Sequence, residues 1–250
     1  MKMLRKRDWG FVLLVIVFAL TCIRLGFWQL DRLAQRRAAN EQIRARLDEP
    51  PVDISGTEIG PSLAYRRAIA TGKFDPQDQI LLENQSLNGQ SGFHLISPLL
   101  FQNADGAILV DRGWIPFESG MEANLEQYEV PGLIEVTGVL IPSVGQPAWG
   151  FLADPIPEAG EPPLQTWRFL TIELIQKQVE YPLASLILLQ GERLDAGAAF
   201  PQPDATIELD EGPHLGYAIQ WFAFATIAVA GGSLWVRRQL VTNKEGQAEG

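Results

Sequence analysis

The chain has 250 residues, with 20 Lys and Arg against 30 Asp and Glu and a formal net charge of -10, which argues against a polyanionic nucleic acid as partner. One cysteine, two histidines and three methionines exclude an internal disulfide and leave too few soft ligands for a thiolate cluster or a copper site held by this chain. The length suits one ordinary domain with residues left over for membrane segments.

Residues 1–8 are a short basic start, and the stretch from Trp9 to Leu30 reads WGFVLLVIVFALTCIRLGFWQL, with the single charge Arg24 near its far end. About 20 apolar residues at helical rise cross a bilayer, so residues 9–30 are predicted as a first transmembrane helix. A secretory signal peptide would have a shorter apolar core and a small-x-small cleavage site. A lipoprotein signal would place a small residue before Cys22, where Thr21 stands. The next stretch, Asp31 to Leu47, is rich in Arg, Ala, Gln and Glu and predicts a helical extension that ends at Pro50-Pro51.

Beyond the prolines β signals dominate. Tyr65–Phe74, Gln79–Asn84, Phe93–Phe101, Ala107–Val110 and Leu133–Leu140 are short apolar runs bounded by turn residues, and Asn88-Gly89 and Asp105-Gly106 are hairpin turn pairs. Gln146–Pro163 reads as a long loop. One helix is predicted at Thr171–Glu180, with Thr171 as N-cap and Pro182 beyond its end, and Ser185–Leu189 as a closing strand. The expected fold is a membrane protein whose residues 31–211 form a mainly antiparallel α+β domain between two transmembrane helices in hairpin topology. The second helix spans 212–236, with LGYAIQWFAFATIAVAGGSLWV from Leu215 to Val236, and residues 237–250 form a tail.

Basic residues flank the first helix on both sides, so the positive-inside count there is a draw. At the second helix Glu208, Asp210 and Glu211 precede the span and Arg237, Arg238 and Lys244 follow it, which puts that end, and with it both termini, in the cytoplasm and the domain in the periplasm.

Motifs for chemistry are few. His214, Tyr217, Ala218, Trp221 and Ala225 share one helical face at the outer bilayer boundary. A flat apolar macrocycle could rest there with His214 as axial ligand to its iron; equally, these residues could form an interfacial aromatic belt. On the first helix Arg24 and Trp28 share a face with Asp31 or Arg32, and Arg24 could meet an anionic group or snorkel to the headgroups. VDRGWIP, Val110 to Pro116, is expected to end a strand, with Asp111 and Arg112 pairing or capping backbone groups and Trp114 in the core. His94 has no second imidazole nearby. No Gly-x-Ser-x-Gly elbow, His-Glu-x-x-His pair, phosphate loop or dinucleotide fingerprint appears, so nothing argues for an enzyme.

LGFWQLDR (Leu25 to Arg32), GKFDP (Gly72 to Pro76), VDRGWIP and HLGYAIQWFAFA (His214 to Ala225), in that order around two spans, resemble the Surfeit-locus (Shy-type) cytochrome c oxidase biogenesis family in its bacterial form. The resemblance implies an inner-membrane assembly factor for a haem-copper terminal oxidase, a cytochrome c oxidase or a related quinol oxidase, which helps deliver haem A to subunit I. It implies His214 as the haem iron ligand with Trp221 beside it, haem A as a transient cofactor, and oxidase subunit I, haem A synthase and membrane lipid as partners. It gives Arg112, Gly113 and Trp114 importance without a role. A chaperone that stabilises an oxidase intermediate without binding haem is the alternative.

Overall fold

The computed structural model describes residues 6–56, 58–121, 125–143, 145, 153–155, 162–194 and 199–245. They fall into two compact units, one of residues up to Gln42 together with those from Glu208 onward, the other Ile43–Ile207.

The helix α1 runs without a break from Lys6 to Asp48, so the predicted span and its extension are one helix. The second long helix spans His214–Glu245. Both are long and apolar enough to cross a membrane. Leu13, Leu14, Ile219 and Ile227 are each more than 60% exposed, a surface suited to hydrocarbon rather than water. Besides Asp8 near its start, the buried residues of α1 are Ala19, Cys22, Gly26, Gln29 and Leu33, with Asn40 seven positions further on. That alternating three-and-four spacing is the seam of a left-handed helix pair. On the second helix Ala218 and Ala225, also seven apart, are buried.

The helices run antiparallel along this seam. Phe11 packs on Trp235 with ring centroids 4.4 Å apart, a Cβ placed on Gly232 would lie 2.9 Å from Val15, and one on Gly26 would lie 2.7 Å from the Phe222 ring. Small residues therefore set how closely the backbones approach, the usual basis of helix pairing where apolar burial supplies no drive.

The second unit is built on β1 (Val52–Asp53), β2 (Arg67–Phe74), β3 (Ile80–Leu87), β4 (Gln90–Phe101), β5 (Ala107–Pro116), β6 (Ile134–Pro142), β7 (Thr166–Trp167) and β8 (Leu183–Gln190), with the short helices α2 (Phe117–Met121) and α3 (Ile172–Ile175); the long C-terminal helix is α4. Strand order is β1-β2-β6-β8-β5-β4-β3-β7, and an additional β2–β4 pairing closes β2, β6, β8, β5 and β4 into a barrel. Its pairings are antiparallel except β5 with β8. This is a five-stranded Greek-key barrel of the OB type.

Closure depends on β4, whose outer edge serves two neighbours. It pairs with β3 as far as Ile96 and with β2 from Leu99. Pro98 lies at the handover, where its missing N–H costs no ladder bond on that side, and its carbonyl accepts from Asp75 N at 2.9 Å.

Ala68, Ala70, Phe74, Leu99, Ile108, Val110, Val136, Leu140, Leu186 and Leu188 fill the interior, at the every-second-residue spacing that aims side chains to one face. Leu109 and Ile187 point outward, where Trp167, Leu170 and the α3 residues cover them. The predicted hairpin at Asn88-Gly89 joins β3 to β4, with φ of 51° and 79°, the two positive values of a type I′ turn.

Three expectations are corrected. The helix foreseen at Thr171–Glu180 is the single turn Ile172–Ile175, so the expected mainly antiparallel α+β domain is a closed barrel with only short helical turns. Thr171 supplies no side-chain cap; Ser143 Oγ accepts from Ile172 N at 3.0 Å instead. Further elongation competes with side-chain tethers. Gln176 reaches the Tyr181 carbonyl and the Leu183 N–H, and Gln178 accepts from Leu164 N. Lastly, the strand expected at Ala107–Val110 runs on to Pro116 as β5, which VDRGWIP ends as expected. Most of the loop expected at 146–163 lies outside the described residues.

Candidate functional site

The approach to α4 is fixed by polar contacts within the helix unit. Arg37 forms a bidentate pair with Glu211 at 2.9 and 2.8 Å, while Arg36 Nε and Asn40 Nδ2 donate to the Asp210 carbonyl at 2.9 and 3.1 Å. Asp210 Oδ1 accepts from Gly212 N. Gly212 has φ +71°, a backbone state that glycine adopts without strain, and Pro213 follows it. The Tyr217 N–H then bonds the Pro213 carbonyl, which starts α4 with His214 at its head.

His214 is half-buried, and its Nδ1 lies 2.8 Å from Gln29 Oε1. The amide oxygen can only accept, so Nδ1 donates and carries the proton. In the neutral ring the lone pair is then on Nε2. A Cβ built on Gly212 would stand 3.4 Å from His214 Cδ2 and 3.6 Å from Nε2. Glycine at position 212 thus puts no side chain against the Nε2 edge. A neutral imidazole tied through one nitrogen and bare at the other is the usual form of a metal-ligating histidine.

The residues named from sequence are distributed unevenly about it. Ala218 and Ala225, expected on the open face with His214, are buried; Trp221 is half-buried, 5.9 Å from Phe224 in an edge-to-face arrangement. Tyr217 and Trp28 are each 46% exposed. Arg24, Leu25 and Trp28 line an open cavity of about 340 Å³, off the α1 seam that carries Gln29.

In the barrel, Arg112-Gly113-Trp114 has the structural role expected of it, with Arg112 bonded to a backbone carbonyl and Trp114 buried. Arg112 points into the interior, 4.7 Å over the Phe74 ring, and its Nη2 donates to the Tyr128 carbonyl at 2.6 Å. Burial lowers its pKa to about 10, which leaves it a cation at neutral pH. Asp111 does not pair with it. Its two oxygens accept from Gly113 N and meet His94 Nδ1, at 2.9 and 2.8 Å.

Gly113 has φ +106°, and a Cβ there would run into the Gln202 carbonyl. Trp114 and Gln202 exchange two backbone hydrogen bonds. The motif therefore grips the strap at Phe200–Pro203. A cavity of about 690 Å³ beside β3 and β4, lined by Phe93, Phe117 and Gln85 among others, contains none of the residues singled out from the sequence. Among the described residues no group of three or more His, Cys, Asp or Glu could hold a metal ion.

A sequence model of the SURF1 family matches residues 16–226. The chain belongs to the SURF1 family. A SURF1-like protein of Rickettsia felis is 27% identical over 217 residues, which is 85% of this chain and 91% of the relative. One of Mycobacterium tuberculosis is 28% identical over 229 residues, 88% of this chain and 79% of the relative, and one of Dictyostelium discoideum is 30% identical over 143 residues, 53% and 50%. The SURF1 match takes in Gln29, Arg112–Trp114, His214 and Trp221. Of these, Gln29 was not foreseen as a partner of His214. Its signal in the sequence is a lone amide on the three-and-four spacing that begins at Ala19 and continues through Cys22 and Gly26.

Proposed function

We propose that this SURF1-family chain is an assembly factor for a haem-copper terminal oxidase, and that its helix pair holds haem A until apo-subunit I accepts it. The observation that carries this reading is His214: its Nδ1 is committed to Gln29, and its Nε2 lies beside Gly212, which has no side chain to cover it. A neutral imidazole presented in this way fits the axial position of a haem iron, and when bound the haem is cargo rather than a reagent. Exposed apolar faces at Leu215 and Tyr217 suit a flat macrocycle that passes between membrane proteins. Trp221, Arg24 and Trp28 remain candidates for contacts with the ring and its propionates. On this reading no bond is made or broken by the chain, subunit I is the acceptor and haem A synthase the donor.

The same reading places the chain in a bacterial inner membrane, with both termini cytoplasmic and the barrel in the periplasm. Arg237 and Arg238 follow the second span, as the positive-inside rule requires of a cytoplasmic end. The Arg-rich flank after the first span is not a contrary signal, since Arg37 is matched to Glu211 and Arg36 to the Asp210 carbonyl.

Deletion of the gene tests the proposal. The expected result is an oxidase depleted of haem A in the membrane, restored by the wild-type gene and not by His214→Ala. Restoration by His214→Ala would favour the alternative, a chaperone that stabilises an assembly intermediate without binding haem. An oxidase with full haem content after deletion would contradict both.

A further inference from the structure

We infer that Gln29 is the positioning residue of the His214 site: it fixes the imidazole as the Nδ1–H tautomer and so aims the bare Nε2 at an incoming haem iron. The inference rests on the haem reading above for its ligand, but not for its geometry.

Gln29 sits on the seam of α1 between Gly26 and Leu33 and is 9% exposed. An amide buried at such a position weakens an otherwise small and apolar helix contact unless it is hydrogen-bonded. Its oxygen meets His214 Nδ1 at 2.8 Å, from the other helix of the pair. Free neutral histidine favours the opposite tautomer, with the proton on Nε2, and in that form the nitrogen on the Gly212 side would be an N–H and unable to bind a metal. Removing the acceptor at position 29 therefore does more than loosen a contact. It moves the proton onto the atom that must be bare.

The choice of an amide rather than a carboxylate also has a consequence. A carboxylate stabilises the doubly protonated ring, which has no lone pair on either nitrogen; a neutral acceptor orients the ring without that penalty. His94 shows the other arrangement, with Asp111 against its Nδ1 at 2.8 Å.

Nitrogen-15 NMR of the full chain in detergent, labelled at histidine and without added haem, reads the tautomer directly. His94, the one other histidine, is assigned with a His94→Gln sample. The wild type is expected to show Nδ1 at the shift of a protonated nitrogen and Nε2 at that of a bare one. Gln29→Met, which keeps an unbranched side chain of similar size, should exchange the two shifts and weaken binding of added hemin by about 10-fold or more, the usual effect of removing such a partner. Gln29→Glu should return the proton to Nδ1, which shows that the acceptor matters and not packing alone.

A wild type with its proton on Nε2, or a Gln29→Met sample with unchanged shifts, would overturn the inference whether or not hemin binds. A wild type with the expected tautomer and no hemin affinity would refute the haem reading, and with it the ligand named here, while the tautomer assignment stood.

Discussion

The helix pair and the barrel each contain one histidine held through Nδ1 at 2.8 Å, yet the two are built for different ends. In the barrel His94 meets the Asp111 carboxylate, which also accepts from Gly113 N, next to a buried Arg112 and the strap at Phe200–Pro203. That network ties β4 to the turn at Gly113 and so to the strap. In the helix pair His214 meets a neutral amide, and its second nitrogen lies beside Gly212, which has no side chain to cover it. Under the haem reading proposed above, that difference suits the helices to the binding role and the barrel to a supporting one.

The largest effect expected from breaking this contrast is at Gly113. A side chain there meets the Gln202 carbonyl, and its φ of +106° strains any other residue, so Gly113→Val should cost about 3 kcal/mol or more in the barrel's thermal unfolding. Gly26→Leu addresses the other unit. With the Phe222 ring 2.7 Å from a Cβ at that position, overpacking of about 1–3 kcal/mol should spread the helices. The result should be loss of hemin binding, with hydrogen exchange in the barrel strands unchanged.

A smaller effect sharpens the picture of the strap. The Thr206 hydroxyl and N–H, together with His94, hold Asp204 below its ordinary value of 3.8. The unfolded chain then binds that proton more readily than the fold does, so this contribution is present above the ordinary carboxylate range and is lost as pH falls below it. Asp204→Asn should flatten the barrel's melting temperature between pH 5 and pH 3, each pH being about one unit from the ordinary carboxylate value.

Much of the fold was legible because its signals are local. The two apolar runs, the strands of the barrel and the Asn88-Gly89 turn announce themselves over a few residues. What was not legible depends on residues far apart in the chain. Closure of the barrel needs β4 to change neighbour at Pro98, which no window around Pro98 reveals. The helix at Thr171–Glu180 stops early because Gln176 and Gln178 tie it to Tyr181, Leu183 and Leu164. At the site, His214 was visible as the head of a span, whereas Gln29 is 185 positions away and becomes its partner only once the seam is paired. The face drawn through His214, Ala218 and Ala225 followed helical spacing correctly, but spacing does not say which side another helix covers.

The most direct measurement is the visible spectrum of the protein purified from a host that makes haem A. The account predicts a haem absorbance in stoichiometric amount that disappears in His214→Ala, with the barrel's thermal unfolding unaltered by the substitution. A colourless wild-type protein, or a haem band that survives His214→Ala, would contradict it.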